Sequence, residues 1–379
     1  MSSFVLKNAR IVTPQEIVEG SVEVRNGVID CVEAGDCSLA TAIDCEGDYV
    51  IPGMIDLHTD HLERMLRPRN SVSWPVLPAL IAHDAQMVTA GITTILDSLC
   101  VGFQRHAQRS FEMLKCVIAE LETGRQQGLL RGDHYLHLRC EISKEEMPGM
   151  LASIFPDPRV LLVSMMDHTP GQRQYRDMER YVAMEKRDFH LTEEQIDEFV
   201  TECRERHERL SRPNRARLLA MTEGHSVAIA SHDDATVEHI EEARGEGVTI
   251  SEFPTTQEAA EAARANGMKV VVGAPNLVLG RSHSGNVAAA RLVENGLVDA
   301  LASDYVPSSM LHGAFLLHEI VGLALTEAIA MVTQTPAQMT GLTDRGAIEI
   351  GKRADLVRVQ TRGGIATPMM VWREGQRVA

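Results

Sequence analysis

Residues 50–63 read VIPGMIDLHTDHLE. An apolar run (Val50, Ile51, Met54, Ile55, Leu57) stops at His58, Thr59, Asp60, His61 and Glu63, with Pro52-Gly53 near its start. A short apolar run is the pattern of a buried strand, and here the polar cluster falls at its C-terminal end. Alternation along a strand sends residues i and i+2 to one face, so His58 and Asp60 are expected to project together. An imidazole and a carboxylate converging there make half of a divalent-metal site. A polar turn that merely caps a strand would show the same local pattern, so the rest of the chain has to decide.

Working outward, the residues before this stretch alternate in period two: FVLKNARIV, then SVEVRNGVIDCVEAG, with Asn26-Gly27 between two strands. Asn-Gly flanked by alternating apolar residues is a strong hairpin signal. The end of the chain, GAIEIGKRADLVRVQ and PMMVWREGQRVA, has the same character, with a second turn at Glu374-Gly375. Residues 1–49 and 346–379 are therefore read as one small β-sandwich domain built from both termini. Residues 50–345 are inserted between its halves. There, apolar strands alternate with amphipathic helices. VLPALIAHDAQMVTAG (76–91) is a helix, ITTILDS (92–98) a strand, and 105–128 a long helix. HYLHLRCEIS (134–143), VLLVSMMDH (160–168), VAIASHDD (227–234), VTISEF (248–253), KVVVGAPN (269–276) and ALASDYVPS (300–308) are further strands. Repeated strand–helix units over this length predict an α/β fold, a TIM-like (β/α)8 barrel. The charged segment 176–218 reads as a helical insertion with a solvated face.

Composition bounds the function. The 379 residues carry a formal net charge of −16, which disfavours nucleic acid as a partner and leaves any anionic substrate to be attracted locally. No apolar run is long enough to cross a membrane, and MSSFVLKNARIV lacks the pattern of a secretory signal. The seven cysteines (31, 37, 45, 100, 116, 140, 203) are odd in number and form no CxxC, as expected for reduced thiols in a cytoplasmic protein.

The polar residues at the predicted strand ends are His58, Asp60, Glu141, His168, His232 and Asp304. Reactive groups of such barrels gather at the C-terminal strand ends, and all six are of types that ligate divalent cations. Any one of them could be a hydrogen-bonded packing residue; six together point to metal. One or two ions are expected, zinc first, with manganese or iron suiting the same donors. Glu141 has two oxygens with which to bridge two cations, with His168 and His232 on one and His58 and Asp60 on the other. Asp304 can take a proton from an attacking water and hand it to the leaving group. His137 and Arg139 share a strand face with Glu141, either orienting ligands or satisfying one another inside the barrel. His83, His225 and His239 read as packing or surface residues.

PGMIDLHTD, the strand-end histidines, SDYVP and TEAIAMVTQTPAQMTGL followed by GAIEIGKRADLV resemble the amidohydrolase superfamily over nearly the whole chain. That family's first strand usually carries two histidines separated by one residue, and its bridging residue is often a carboxylated lysine. Here Asp60 and Glu141 stand in those places. With these departures, HTDHLE, HLRCEIS, MMDHTPGQRQY, ASHDDAT, GAPNLVLGRSHSGN and SDYVPSS are similar to the alkylphosphonate-utilisation branch, although His61 stands where an Asn is frequent. The resemblance implies a hydrolase that cleaves α-D-ribose 1-methylphosphonate 5-triphosphate, releasing pyrophosphate and leaving the 5-monophosphate. It implies phosphate holders in the loops, for which Arg173, Arg281 and His283 are the candidates, ahead of Arg64, Arg67 and Arg69. The expected partner is a small anionic substrate, and self-association is compatible with it. Two other readings stay open: hydrolysis of a cyclic amide or a deamination at the same metals, and a metal-free scaffold.

Overall fold

The computed structural model describes residues 3–69, 72–102, 111–189, 191–282 and 286–379. Among them, eight parallel strands follow one another around a barrel: Met54–Thr59, Ile92–Val101, Asp133–Glu141, Val160–Met166, Ala228–His232, Ile250–Glu252, Lys269–Gly273 and Ala300–Ala302. The eighth meets the first through a bridge between Thr59 and Asp304, where Asp304 N donates to His58 O at 2.9 Å and Asp60 N to Asp304 O at 2.7 Å. Closure thus brings the two ends of the predicted site together through backbone hydrogen bonds.

Both faces of the barrel strands are buried, the outer under helices and the inner in the lumen, so apolar residues dominate them. Leu57, Leu96, Leu162, Ala230, Ile250, Val271, Ala300 and Ala302 fill the lumen as one cluster. On the third strand Leu136, Leu138 and Cys140 face the surrounding helices, so the alternate residues His137, Arg139 and Glu141 face inward. The lumen is therefore apolar below and polar at its C-terminal mouth.

The terminal segments form one mixed sheet in the order Gln376–Arg377, Ile365–Arg373, Leu356–Arg362, Tyr49–Pro52, Ser3–Val12, Ile17–Arg25, Val28–Ala34, with Ile43–Asp44 beside Ser3–Val12. Residues 351–354 tie its far strand back onto the other end through the Val28–Arg353 bridge, and the curl encloses Leu6, Ile11, Val24, Ile29, Val50 and Trp372. Both expected hairpin turns are present, with left-handed backbone at Asn26-Gly27 and at Glu374-Gly375. The apolar run that opened the reading is not one strand. Tyr49–Pro52 pairs within the terminal sheet, and the chain crosses to the barrel at Gly53, where a Cβ would stand 2.2 Å from Thr93 Oγ1 and 2.9 Å from Asp355 Cβ. Only glycine fits that crossing.

The charged insertion is two helices, Met178–Phe189 and Glu193–Thr222, the second opened by a Thr192/Gln195 capping box. It is not simply solvated. Ile196, Val200, Cys203 and Leu218 are buried, Asn214 Nδ2 donates to the carbonyls of Ile142 and Lys144, and His207 pairs with Asp167 at 2.7 Å. The helix Glu193–Thr222 therefore braces the loops after the third and fourth strands. The helix expected at 105–128 is observed as Phe111–Gln126; the earlier part of that span lies outside the described residues.

Candidate metal centre

A cavity of about 290 Å³ opens at the C-terminal mouth, lined by His58, Asp60, Arg139, His168, His232, Asp233 and Asp304, with Gln174, Asn276, Asn286 and Tyr305 around them. Of the six residues expected to ligate, five reach this cavity. Joined by Asp233, they form two groups whose ligand atoms lie within 4.8 Å of one another, His58, Asp60 and Asp304, and His168, His232 and Asp233, while His58 and His232 also meet around Glu252.

The three imidazoles follow one pattern. His168 gives Nδ1 to Glu141 Oε2 at 2.6 Å, His232 gives Nδ1 to Glu252 Oε2 at 2.6 Å, and His58 gives Nδ1 to Glu252 Oε1 at 2.8 Å. In each ring the nitrogen away from the cavity is held by a buried carboxylate, leaving Nε2 for the cavity. That is the arrangement of metal-ligating histidines held by an outer carboxylate, and it is the structural reason these residues fit a cation. Burial alone would lower His58, but the charge of Glu252 overrides it and pushes the imidazole up to about 10 in the metal-free chain. Burial would likewise raise Glu252, yet the charge of His58 and the hydrogen bonds from His232 and His58 hold it well below the usual range.

Asp60 is the N-cap of the helix His61–Leu66 and makes no capping hydrogen bond with its side chain. Its carboxylate accepts twice from Arg139 Nη1, at 2.6 and 2.8 Å, and stands 3.7 Å from His58 Nε2. Residues one or two places after strand ends are bent left-handed, with φ of 55° at Asp233, 57° at Phe253 and 54° at Asp304. Asp accepts that conformation better than most residues, and the bend turns Asp233 and Asp304 over the mouth. Asp56, one layer below, accepts from the backbone of Ser303 at 3.0 Å and is pushed up to about 6 by complete burial.

Several expected roles are redistributed. Glu141 is buried, its oxygens accept from the ring and backbone N–H of His168 and from Ser143, and it stands in neither ligand group. Arg173, expected to hold phosphate, is buried with a left-handed φ of 43°, and its Nη1 donates to Asp234 Oδ1 at 2.6 Å and to the carbonyl of His232 at 2.9 Å. Its charge stiffens the turn that carries His232 and Asp233. The arginine that reaches the cavity wall is Arg139. Arg281 is exposed near the rim, and His283 lies outside the described residues. His137 is kept neutral, pushed down to about 3 by burial, between Ser98 and Ser164.

His61 turns away from the cavity. Its Nδ1 meets His83 Nδ1 at 2.9 Å, His83 Nε2 meets Asp97 Oδ1 at 2.9 Å, and Asp97 Oδ2 accepts from His134 at 2.7 Å. This buried polar chain lies between the barrel and the helix Val76–Thr89, so of the two readings His83 is a packing residue, held by hydrogen bonds.

Glu252 and Asp233 were not singled out from the sequence. Glu252 is the last residue but one of the predicted strand VTISEF and the last of the observed strand Ile250–Glu252, and Asp233 follows His232 directly. The signal was present in both places, but strand-end position alone does not say which carboxylate faces which imidazole.

The amidohydrolase family model matches residues 49–378. The chain is 42% identical to the α-D-ribose 1-methylphosphonate 5-triphosphate diphosphatase of Escherichia coli (strain K12), over 99% of this chain and 100% of that protein. It is 37% identical to a dihydroorotase of Methanopyrus kandleri over 22% of this chain and 23% of that protein. Among solved structures, N-acetylglucosamine-6-phosphate deacetylase from Thermotoga maritima superposes with a TM-score of 0.64 at 14% identity, covering 99% of this chain and 98% of that one. The 5-methylcytosine deaminase of Klebsiella pneumoniae with bound phosphonocytosine gives 0.65 at 14% identity, covering 99% and 98%.

Proposed function

The chain belongs to the amidohydrolase family, and from that premise we propose that it is a metal-dependent hydrolase that converts α-D-ribose 1-methylphosphonate 5-triphosphate and water to the 5-monophosphate and pyrophosphate. The observation that carries this is the 42% identity to a diphosphatase of that substrate along the full length of both chains. The short matches to amide and amine hydrolases cover about a quarter of the chain or less and do not compete with it.

His58, Asp60 and Asp304 would hold one divalent cation and His168, His232 and Asp233 another, with Glu141 and Glu252 setting the rings. Zinc is the proposed occupant, and manganese and iron suit the same donors. Such cations, when bound, neutralise charge on phosphoryl oxygens and make a water more acidic. Asp304, on the cavity wall, takes the proton of the water that attacks the α-phosphorus. The bond from that phosphorus to the β-bridging oxygen breaks in line, and the electron pair leaves with pyrophosphate. Arg139 offers its guanidinium to the phosphoryl oxygens from the cavity wall, where charge-assisted contacts are strongest. Arg281 and Arg64, exposed near the rim, can meet the outer phosphates. The retained ligand groups speak against a metal-free scaffold. All seven cysteines are free, which supports a reducing, cytoplasmic setting, and no helix among the described residues is long and apolar enough to cross a membrane.

The test is incubation of the purified chain with the ribose triphosphate phosphonate and, separately, with ATP, quantifying pyrophosphate and orthophosphate. Pyrophosphate from the first substrate well ahead of ATP is the expected result. Equal turnover of both would make the protein a generic triphosphatase, and release of orthophosphate alone would refute cleavage at the α-phosphorus.

A further inference from the structure

We propose that Glu252 couples the two halves of the metal centre, one carboxylate setting an imidazole in each. The inference rests on the metal reading given above. Glu252 ends the sixth barrel strand and is 1% exposed. Its Oε1 lies 2.8 Å from His58 Nδ1 and its Oε2 2.6 Å from His232 Nδ1. An ionised carboxylate only accepts hydrogen bonds, so both Nδ1 atoms must carry hydrogen and donate. With Nδ1 so occupied, Nε2 is the nitrogen left to give a lone pair to a cation, and both Nε2 atoms face cavity carboxylates: His58 toward Asp60 Oδ1 at 3.7 Å, His232 toward Asp233 Oδ2 at 3.4 Å. His58 shares one ligand group with Asp60 and Asp304, His232 another with His168 and Asp233, and the two imidazoles meet in a third around Glu252 itself. The two rings lie 16° from parallel with centroids 5.9 Å apart, as expected when one rigid planar group holds both. His137, occupied by Ser98 and Ser164, stands 3.9 Å from the same carboxylate and walls it in.

The contrast with Glu141 gives the idea its content. Glu141 orients His168 alone, so its loss would disturb one group. Glu252 serves both groups, and a glutamine there cannot do so. Its amide oxygen can accept from one Nδ1, but its NH₂ then faces the other. That second ring has to adopt the opposite tautomer, with hydrogen on Nε2 where a cation needs a lone pair.

The experiment is zinc titration of the metal-stripped full-length chain against a chromophoric chelator. The wild type is expected to bind two ions per chain, one for each ligand group. Glu252→Gln should keep one and hold the other at least about tenfold more weakly, while Glu252→Ala should weaken both by about 10–100-fold. A Glu252→Gln titration indistinguishable from wild type, or an Ala variant weakened at one ion only, overturns the coupling. A wild type that takes up no zinc overturns the metal reading itself, which is a different result. If the variants do not fold, ¹⁵N spectra of the zinc-loaded wild type decide: hydrogen on Nδ1 of both His58 and His232 is expected, and hydrogen on Nε2 of either overturns the inference.

Discussion

Replacing Asp304 with asparagine separates chemistry from architecture. Asp304 sits at φ 54°, a left-handed conformation that asparagine adopts as readily as aspartate. Its part in closing the barrel is carried by the backbone, through Asp304 N to His58 O at 2.9 Å and Asp60 N to Asp304 O at 2.7 Å, and the substitution leaves both bonds in place. The fold should therefore lose well under about 1 kcal/mol, the usual range for changes that touch no packing or backbone feature. An amide cannot take a proton from water, and removing a general base costs about 10²–10⁴ in rate, equivalent to about 3–5 kcal/mol of transition-state stabilisation. Pyrophosphate release by Asp304→Asn should thus fall by at least about 100-fold in kcat, with an unchanged melting curve. Metal content, measured by mass spectrometry, should stay close to wild type, because His58 and Asp60 remain in that ligand group. Asp304→Ala should behave differently, adding about 1–2 kcal/mol of destabilisation from the left-handed backbone. A kcat for Asp304→Asn within tenfold of wild type would refute the general-base assignment. Loss of metal along with activity would make Asp304 chiefly a ligand.

Other consequences are open to direct measurement. Arg173→Met leaves Asp234 buried without its cation, which should cost about 3–5 kcal/mol in chemical denaturation; a stable variant with only a raised KM would return Arg173 to the role of phosphate holder. His134 carries a pH signature. Burial would lower it, but Asp97 and Asp84 outweigh burial and push it from 6.5 up to about 10. A raised folded pKa gives stability that is complete below about pH 6.5 and lost as pH climbs toward 10, by at most about 1.4 kcal/mol per pH unit. Wild-type melting temperature should fall across that window, and His134→Asn should show a flatter profile; parallel profiles would contradict the charged His134–Asp97 pair. Chelation should abolish pyrophosphate release, and zinc or manganese should restore it. Activity that survives exhaustive chelation, with metal absent by mass spectrometry, would remove the cations from the reaction.

Much of this molecule could be read from the order of its residues. Period-two alternation around Asn26-Gly27 and Glu374-Gly375 specifies hairpins because those turns depend on a few adjacent residues. Apolar runs that end in His, Asp or Glu mark the barrel strands and the rim where reactive groups collect, since strand direction and burial are local properties. What local pattern cannot carry is which side chain lies beside which across strands far apart in the sequence. Alternation places His137, Arg139 and Glu141 inside the barrel, but only the pairing of the third and fourth strands brings Glu141 to His168, and only the curl of the first three strands brings Arg139 to Asp60. The same holds for Arg173, whose position after His168 suited a phosphate holder until the fold put Asp234 within 2.6 Å of it. The stretch VIPGMIDLH reads as one strand and is shared by two sheets, because its partners, the strands Leu356–Arg362 and Ile92–Val101, lie far from it in sequence, as do Thr93 and Asp355, which leave room only for glycine at position 53. Residue types and their order determined the barrel, the terminal sheet and the presence of a metal-type site. The tertiary structure alone decided which carboxylates line the cavity and which hold the imidazoles from behind, because that division is set by distances of a few ångströms between side chains far apart in the sequence.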